Sequence, residues 1–153
     1  MTSAGASKAY HKDIVTRSDW KKKGTRLVNM CCIGQALTED DSIQSLFVYS
    51  SNPACTAPDQ NKVLAGLSRD DLFTVVHERF MTDTARYADI VLPATTSLEH
   101  DDAYYSYGNY TIQCGYAVIG PLGESRSNWR LACDLAKLSA LPIPFTTSPN
   151  GTL

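Results

Sequence analysis

Short apolar runs separated by polar turns organise the chain from about residue 26 onward. Leu27, Met30, Cys31, Ile33, Gly34 and Leu37 recur at steps of three and four, which predicts a helix over Arg26–Leu37 with one apolar face. The acidic turn at Glu39–Ser42 ends it. Ser45–Tyr49 (SLFVY) reads as a buried strand that leaves through Ser50-Ser51-Asn52-Pro53, because a residue before proline is biased to extended backbone. Ala57–Gly66 predicts a second helix, with Pro58 in its first turn and Gly66 as its cap. Leu72–Val76 is a second strand, Thr82–Tyr87 a short helix and Ile90–Leu92 a third strand. The crossovers of about 22 and 13 residues are too long for hairpins and suit right-handed parallel connections. The strands are apolar without alternation, as expected when both sheet faces are covered.

The region Asp101–Gly123 breaks this rhythm. It is rich in Tyr, Gly and polar residues and reads as a long loop carrying a strand near Tyr110–Cys114. Ser127 then caps a last helix to about Ser139, with Trp129, Ala132, Leu135, Ala136 and Leu138 expected on its buried side. The pattern predicts an α/β fold of three layers: a mostly parallel sheet with helices on both faces, Rossmann-like but without a GxGxxG loop. Its parts are a basic, disordered leader over 1–24, an α/β domain over 25–140 and an irregular tail over 141–153.

Charge changes the picture at one end only. Residues 1–26 carry seven Lys/Arg against two Asp, and residues 27–153 seven against fourteen acidic residues, within a net charge of −2. A solvated tail explains the basic leader better than a specific anion-binding arm. The overall balance gives no reason to expect nucleic acid as partner. No apolar run approaches the ~20 residues of a transmembrane helix, and the leader lacks a secretory h-region, so a soluble, cytoplasmic protein is expected. The five cysteines, 31, 32, 55, 114 and 133, form no C-x-x-C pair. They offer neither a disulfide framework nor iron–sulfur or zinc spacing.

Candidate chemistry gathers where the strands end. His77 and Glu78 close the second run, and Thr95, Thr96, Glu99 and His100 follow the third. Ligands of open parallel sheets bind beyond the carboxyl ends of the strands, so these clusters mark a ligand edge. The glycine-rich phosphate motifs are missing, although helix starts after Asn52-Pro53 or near Thr82 could hold phosphate through backbone N–H groups. Gly123–Ser127 lacks the second glycine of a nucleophile elbow, and Met81 stands where a zinc-protease helix needs His. Glu99–Asp102 offers oxygens to a divalent cation, as a small metal-dependent hydrolase would, but such acidic turns are usually solvated loops. His77 and Glu78 read equally well as a polar strand end, and Asn52 and Asn128 as turn and helix-start residues.

Wording adds what spacing cannot. VNMCCIGQALT, LFVYSSNPACTAPDQNKVLAGL, DLFTVVHERFMTDTARYADIVLPATTSLEHDD and GESRSNW, in that order from about Thr25 to Leu138, resemble the molybdopterin oxidoreductase family. Its members include formate dehydrogenases, nitrate reductases and dimethyl sulfoxide reductases that carry bis(molybdopterin guanine dinucleotide) with molybdenum or tungsten. The T-x-T-A-x-x-A-D-I-V-L-P core, Thr82–Pro93, is its most specific part. The resemblance implies an internal domain that clasps one guanine dinucleotide arm. It implies cofactor contacts at Ser51, Asn52, His77, Thr82, Thr84, His100 and Asn128, and recognition of guanine by Glu78, where the family commonly has Asp. A carboxylate suits that role because it accepts from guanine N1–H and the exocyclic amine together. No residue here matches the family's metal ligand, its iron–sulfur segment or its C-terminal barrel. The chain therefore reads as a non-catalytic segment of such an enzyme, whose partners are the parent's other domains or a second copy. The alternative is a stand-alone nucleotide-binding or interaction module.

Overall fold

A computed structural model describes residues 24–104 and 111–139. The expected disordered leader up to residue 23 and the irregular tail from 141 lie outside the described residues, as does the Tyr110 start of the expected loop strand. The described residues divide into two compact units, the larger formed by 28–101 with 116–139, the smaller by 24–27 with 102–104 and 111–115.

The larger unit is built on three parallel strands in the order β1-β2-β3, with β1 at Ser45–Tyr49, β2 at Phe73–Glu78 and β3 at Ile90–Pro93. Tyr49 pairs with His77, and His77 with Leu92, so the register brings the three carboxyl ends level. Two hydrogen bonds start β2 and β3 together: the Asp89 carboxylate accepts from Thr74 N–H at 2.7 Å, and Asp89 N–H donates to Thr74 O at 2.9 Å. The Thr82–Pro93 stretch therefore contains a register clamp at Asp89.

Helices depart from the periodicity at identifiable residues. The first begins as a 3-10 turn at Met30–Cys32, where Asn29 Oδ1 accepts from Cys31 N–H at 2.9 Å, and continues as α1, Ile33–Glu39. The helix expected over Ala57–Gly66 begins only at Gln60, as α3, Gln60–Leu67, and a separate short helix the periodicity does not show, α2, Pro53–Thr56, precedes it. Pro58 divides them, because Ala57 before it is forced to extended backbone (φ −81°, ψ 144°) and Asp59 turns through φ 55°. Thr82–Tyr87 tightens to a 3-10 turn at Thr84–Tyr87. The last helix, α4, runs Asn128–Leu138 with the Ser127 hydroxyl accepting from Arg130 N–H, as expected. Its buried residues are Leu131 and Cys133, whereas Trp129 and Leu138 are exposed. Asn128 docks the start of the helix, and Leu131, one turn on, shares its face.

One core joins α1, α2 and α3 through Leu37, Ala54, Val63, Leu67 and Leu72, with Leu46 of β1 packed on it. A second joins Val48 and Val76 to Ala85 of the 3-10 turn. These strand residues lie on one sheet face, because right-handed connections between strands added in one direction all return on the same side. The opposite face carries Phe47, Tyr49, Phe73 and Ile90, all at least 43% exposed. It is covered at its carboxyl end, where α4 begins. The smaller unit holds an antiparallel pair, β4 (Asp102–Tyr104) with β5 (Gln113–Gly115), in which the Tyr104 ring lies over Gly115. The sequence reading had one strand in this loop and missed β4, whose three residues are too few to show a period.

Candidate functional site

The three strands deliver their last residues to one edge, and residues 126–128 run across all three ends. Arg126 N–H donates to Pro93 O and its carbonyl accepts from Thr95 N–H, both at 3.1 Å, which ties this segment to β3. The same Arg126 carbonyl lies 3.1 Å from His77 Nε2 in β2. Asn128 Oδ1 lies 3.0 Å from His77 Nδ1, and Asn128 Nδ2 donates to Ser50 Oγ at 3.0 Å beyond β1. His77 is 1% exposed, with both ring nitrogens engaged by protein atoms.

Ser50 turns the chain out of β1 in the left-handed region, at φ 48°, a conformation that costs a non-glycine residue energy unless its surroundings hold it. Its N–H reaches His77 O at 3.3 Å and its hydroxyl receives Asn128. Ser51 follows, exposed. Asn52 then folds back: its Oδ1 accepts from Thr84 N–H at 3.1 Å and from the Thr84 hydroxyl at 2.7 Å. Thr84 Oγ1 accepts in turn from Ala54 N–H at 3.0 Å. Thr82 Oγ1 accepts from Ala85 N–H at 3.2 Å, within its own turn.

Glu78 ends β2 with its side chain 8% exposed. Arg79 N–H, at 2.8 Å, and Arg79 Nε, at 3.4 Å, both donate to Oε1, so Oε2 has no bond from a described residue. Phe80 and Met81 follow it, both exposed. A carboxylate whose Oε1 is held by Arg79 and whose Oε2 has no bond from a described residue keeps lone pairs on both oxygens for ligand N–H groups.

Beyond β3, His100 Nδ1 meets the Thr95 hydroxyl at 2.8 Å. Glu99 is consumed internally: Oε2 accepts from Thr96 N–H at 2.6 Å and its hydroxyl at 2.8 Å, and Oε1 from Leu122 N–H at 2.8 Å. The Thr96 N–H, then its hydroxyl, then Leu122 N–H hold the Glu99 carboxyl below its ordinary value. Its oxygens are therefore spoken for, and no group of three or more metal-ligating side chains stands together among the described residues.

The structure thus pairs Asn52 with Thr84 and His77 with Asn128, and keeps His100 with Thr95. Ser50 and Arg126 were missed. Ser50 acts through a backbone conformation and Arg126 through a carbonyl, neither of which a residue type announces. No described helix is long and apolar enough to cross a membrane.

Comparison with known proteins matches residues 19–138 to the sequence profile of the molybdopterin oxidoreductase family. A probable oxidoreductase of Bacillus subtilis, YoaE, is 51% identical over 139 residues, which is 90% of this chain and 20% of that protein. The assimilatory nitrate reductase catalytic subunit of Bacillus subtilis is 36% identical over 98 residues, 63% of this chain and 13% of its own length. Among solved structures, acetylene hydratase from Pelobacter acetylenicus superposes with a TM-score of 0.65 at 25% identity, covering 75% of this chain and 16% of that one. The chain spans about a fifth of YoaE and about an eighth of the nitrate reductase subunit.

Proposed function

Because the chain belongs to the molybdopterin oxidoreductase family, we propose that it holds one guanine dinucleotide arm of a bis(molybdopterin guanine dinucleotide) cofactor containing molybdenum or tungsten. On this reading it is the cofactor-binding segment of a larger oxidoreductase. When bound, that group supplies two-electron oxidation–reduction or oxygen-atom transfer. This chain supplies binding and orientation. The matched proteins, a nitrate reductase and a hydratase among them, act on different substrates by name, so the cofactor arm is the element they would share.

The observation that carries the reading is Glu78. Its carboxylate sits at the carboxyl end of the central strand, nearly buried, with one oxygen engaged by Arg79 and the other without a bond from a described residue. Guanine offers N1–H and an exocyclic amine side by side, and adenine offers no such pair. Ser51 and Asn52 lie beyond the end of β1 and the turn before Thr84 beyond that of β2, where the phosphates of the same nucleotide would run. The open apolar face of the sheet favours a segment within a larger protein over a stand-alone module, since a free-living domain gains by covering such a surface.

Removing the Glu78 carboxylate tests this directly. Glu78→Ala should weaken GDP binding by about tenfold or more, since a charge-assisted pair of hydrogen bonds is lost. Calorimetric titration of both proteins measures it, and equal affinities would remove guanine recognition from this edge.

A further inference from the structure

We propose that His77, Asn128 and Ser50 form a hydrogen-bond relay of reversible polarity, which frees the Ser50 hydroxyl to donate to a bound anion only when both ring nitrogens of His77 are protonated. Anion binding at this edge then takes up a proton. The inference rests on the nucleotide reading above for its ligand, a phosphate or pyrophosphate group.

Both ring nitrogens of His77 face oxygen atoms: Asn128 Oδ1 at 3.0 Å from Nδ1 and Arg126 O at 3.1 Å from Nε2. The Arg126 oxygen is a backbone carbonyl and can only accept, so Nε2 must carry a proton in either charge state. Nδ1 has a choice. In the doubly protonated ring, Nδ1–H donates to Asn128 Oδ1, and Asn128 Nδ2 donates to Ser50 Oγ at 3.0 Å. Ser50 then accepts from the protein and its own O–H points elsewhere. In the neutral ring, Nδ1 is bare and must accept, which turns the Asn128 amide over. Nδ2 now donates to Nδ1, and Oδ1 accepts from Ser50 O–H. One proton at His77 thus decides whether Ser50 spends its hydroxyl on Asn128 or offers it outward.

The neighbours of the ring on each adjoining element are neutral or already paired. Tyr49 is its neighbour on β1, and Leu92 on β3 brings no charge. Glu78 follows it on β2 with its carboxylate engaged by Arg79. Arg126 and Arg130 at the start of α4 both pair with Asp134, at 3.0 and 3.2 Å. The left-handed turn at Ser50 keeps its Oγ on Asn128, and the hydroxyl sits one residue before the exposed Ser51.

The test is calorimetric titration of the full chain with GDP in buffers of different protonation enthalpy, at one pH near neutrality, for wild type, Ser50→Gly and Asn128→Asp. Proton changes on GDP itself are common to all three and cancel in the comparison. Glycine suits the left-handed backbone, so Ser50→Gly should fold. Wild type should take up as much as one proton more than either variant. Asn128→Asp has no N–H to give, keeps His77 doubly protonated before binding and leaves nothing to take up. Equal proton uptake by wild type and Ser50→Gly overturns the relay while leaving nucleotide binding intact. Absence of GDP binding by wild type instead removes the nucleotide reading, and the relay is then judged on the free protein. Nitrogen-15 spectra of His77 should show its neutral form protonated at Nε2, and a neutral form protonated at Nδ1 refutes it.

Discussion

Thr84 has no exposed surface, yet its hydroxyl makes two hydrogen bonds, donating to Asn52 Oδ1 and accepting from Ala54 N–H. Thr84→Ala would leave a buried backbone donor unmet and should cost about 1–3 kcal/mol. Thr84→Ser, which keeps the oxygen, should recover most of that in urea unfolding. A ligand role for the Thr84 hydroxyl alone would instead leave stability unchanged in both. Glu99 gives a second prediction at this scale. Its carboxyl is held below the ordinary value of 4.5 by the Thr96 N–H and hydroxyl and by Leu122 N–H. A depressed folded value means that the ionised form stabilises the fold. The contribution is full above about pH 4.5 and is lost as the pH falls through the depressed value. Thermal melts across that acid range should therefore show a steeper fall for wild type than for Glu99→Gln, which should also melt lower at neutral pH. The residue types at this edge were legible from sequence, since Asn52, His77, Glu78, Thr84 and Asn128 all stand there. Their partners were not. A hydrogen bond from Asn128 to Ser50 spans 78 positions of chain, and no local pattern encodes it.

At the scale of elements, α1 and α3 approach so closely that two glycines are needed between them. A Cβ on Gly34 would lie 2.9 Å from the Val63 nitrogen, and one on Gly66 would run into Leu37 Cβ. Gly66→Ala gains about 1 kcal/mol of helix propensity. Overpacking against a buried leucine and the α1 backbone should outweigh that gain, with a net loss of about 1–2 kcal/mol. The urea midpoint measures the sign, and a more stable variant would mean that the helices can separate at no cost. The sequence reading took Gly66 for a helix cap, whereas it is the last residue but one of α3 and serves the crossing. Strands were legible because β1 and the Leu72–Val76 run that enters β2 are mostly apolar and lead into polar clusters. The helix boundaries were not, where single residues decide them. Pro58 reads as a helix starter, but its effect falls on Ala57, which it holds extended, so α3 starts two residues after the proline and α2 ends before it.

At the largest scale, the larger unit presents an asymmetric sheet. Its connections return on one face, and the other leaves Phe47 at 43%, Tyr49 at 59% and Phe73 at 50% exposure. Exposed apolar surface of this kind associates. Light scattering over a concentration series should give a mass that rises with concentration for wild type, and less steeply for Phe47→Lys. A sharp monomer at all concentrations would contradict it. The α/β class and its parallel order followed from crossover lengths, but the open face did not, because apolar strands look the same whether a helix covers them or not. On the proposed reading, the level edge at the carboxyl end of this sheet, with Glu78 at its centre, carries the function. The most direct test of that assignment is calorimetric titration of the chain with GDP, using ADP as the control. The account predicts saturable binding of GDP, with ADP at least about tenfold weaker because it lacks the paired N–H groups that a carboxylate accepts. Equal binding of GDP and ADP by the folded chain would contradict it.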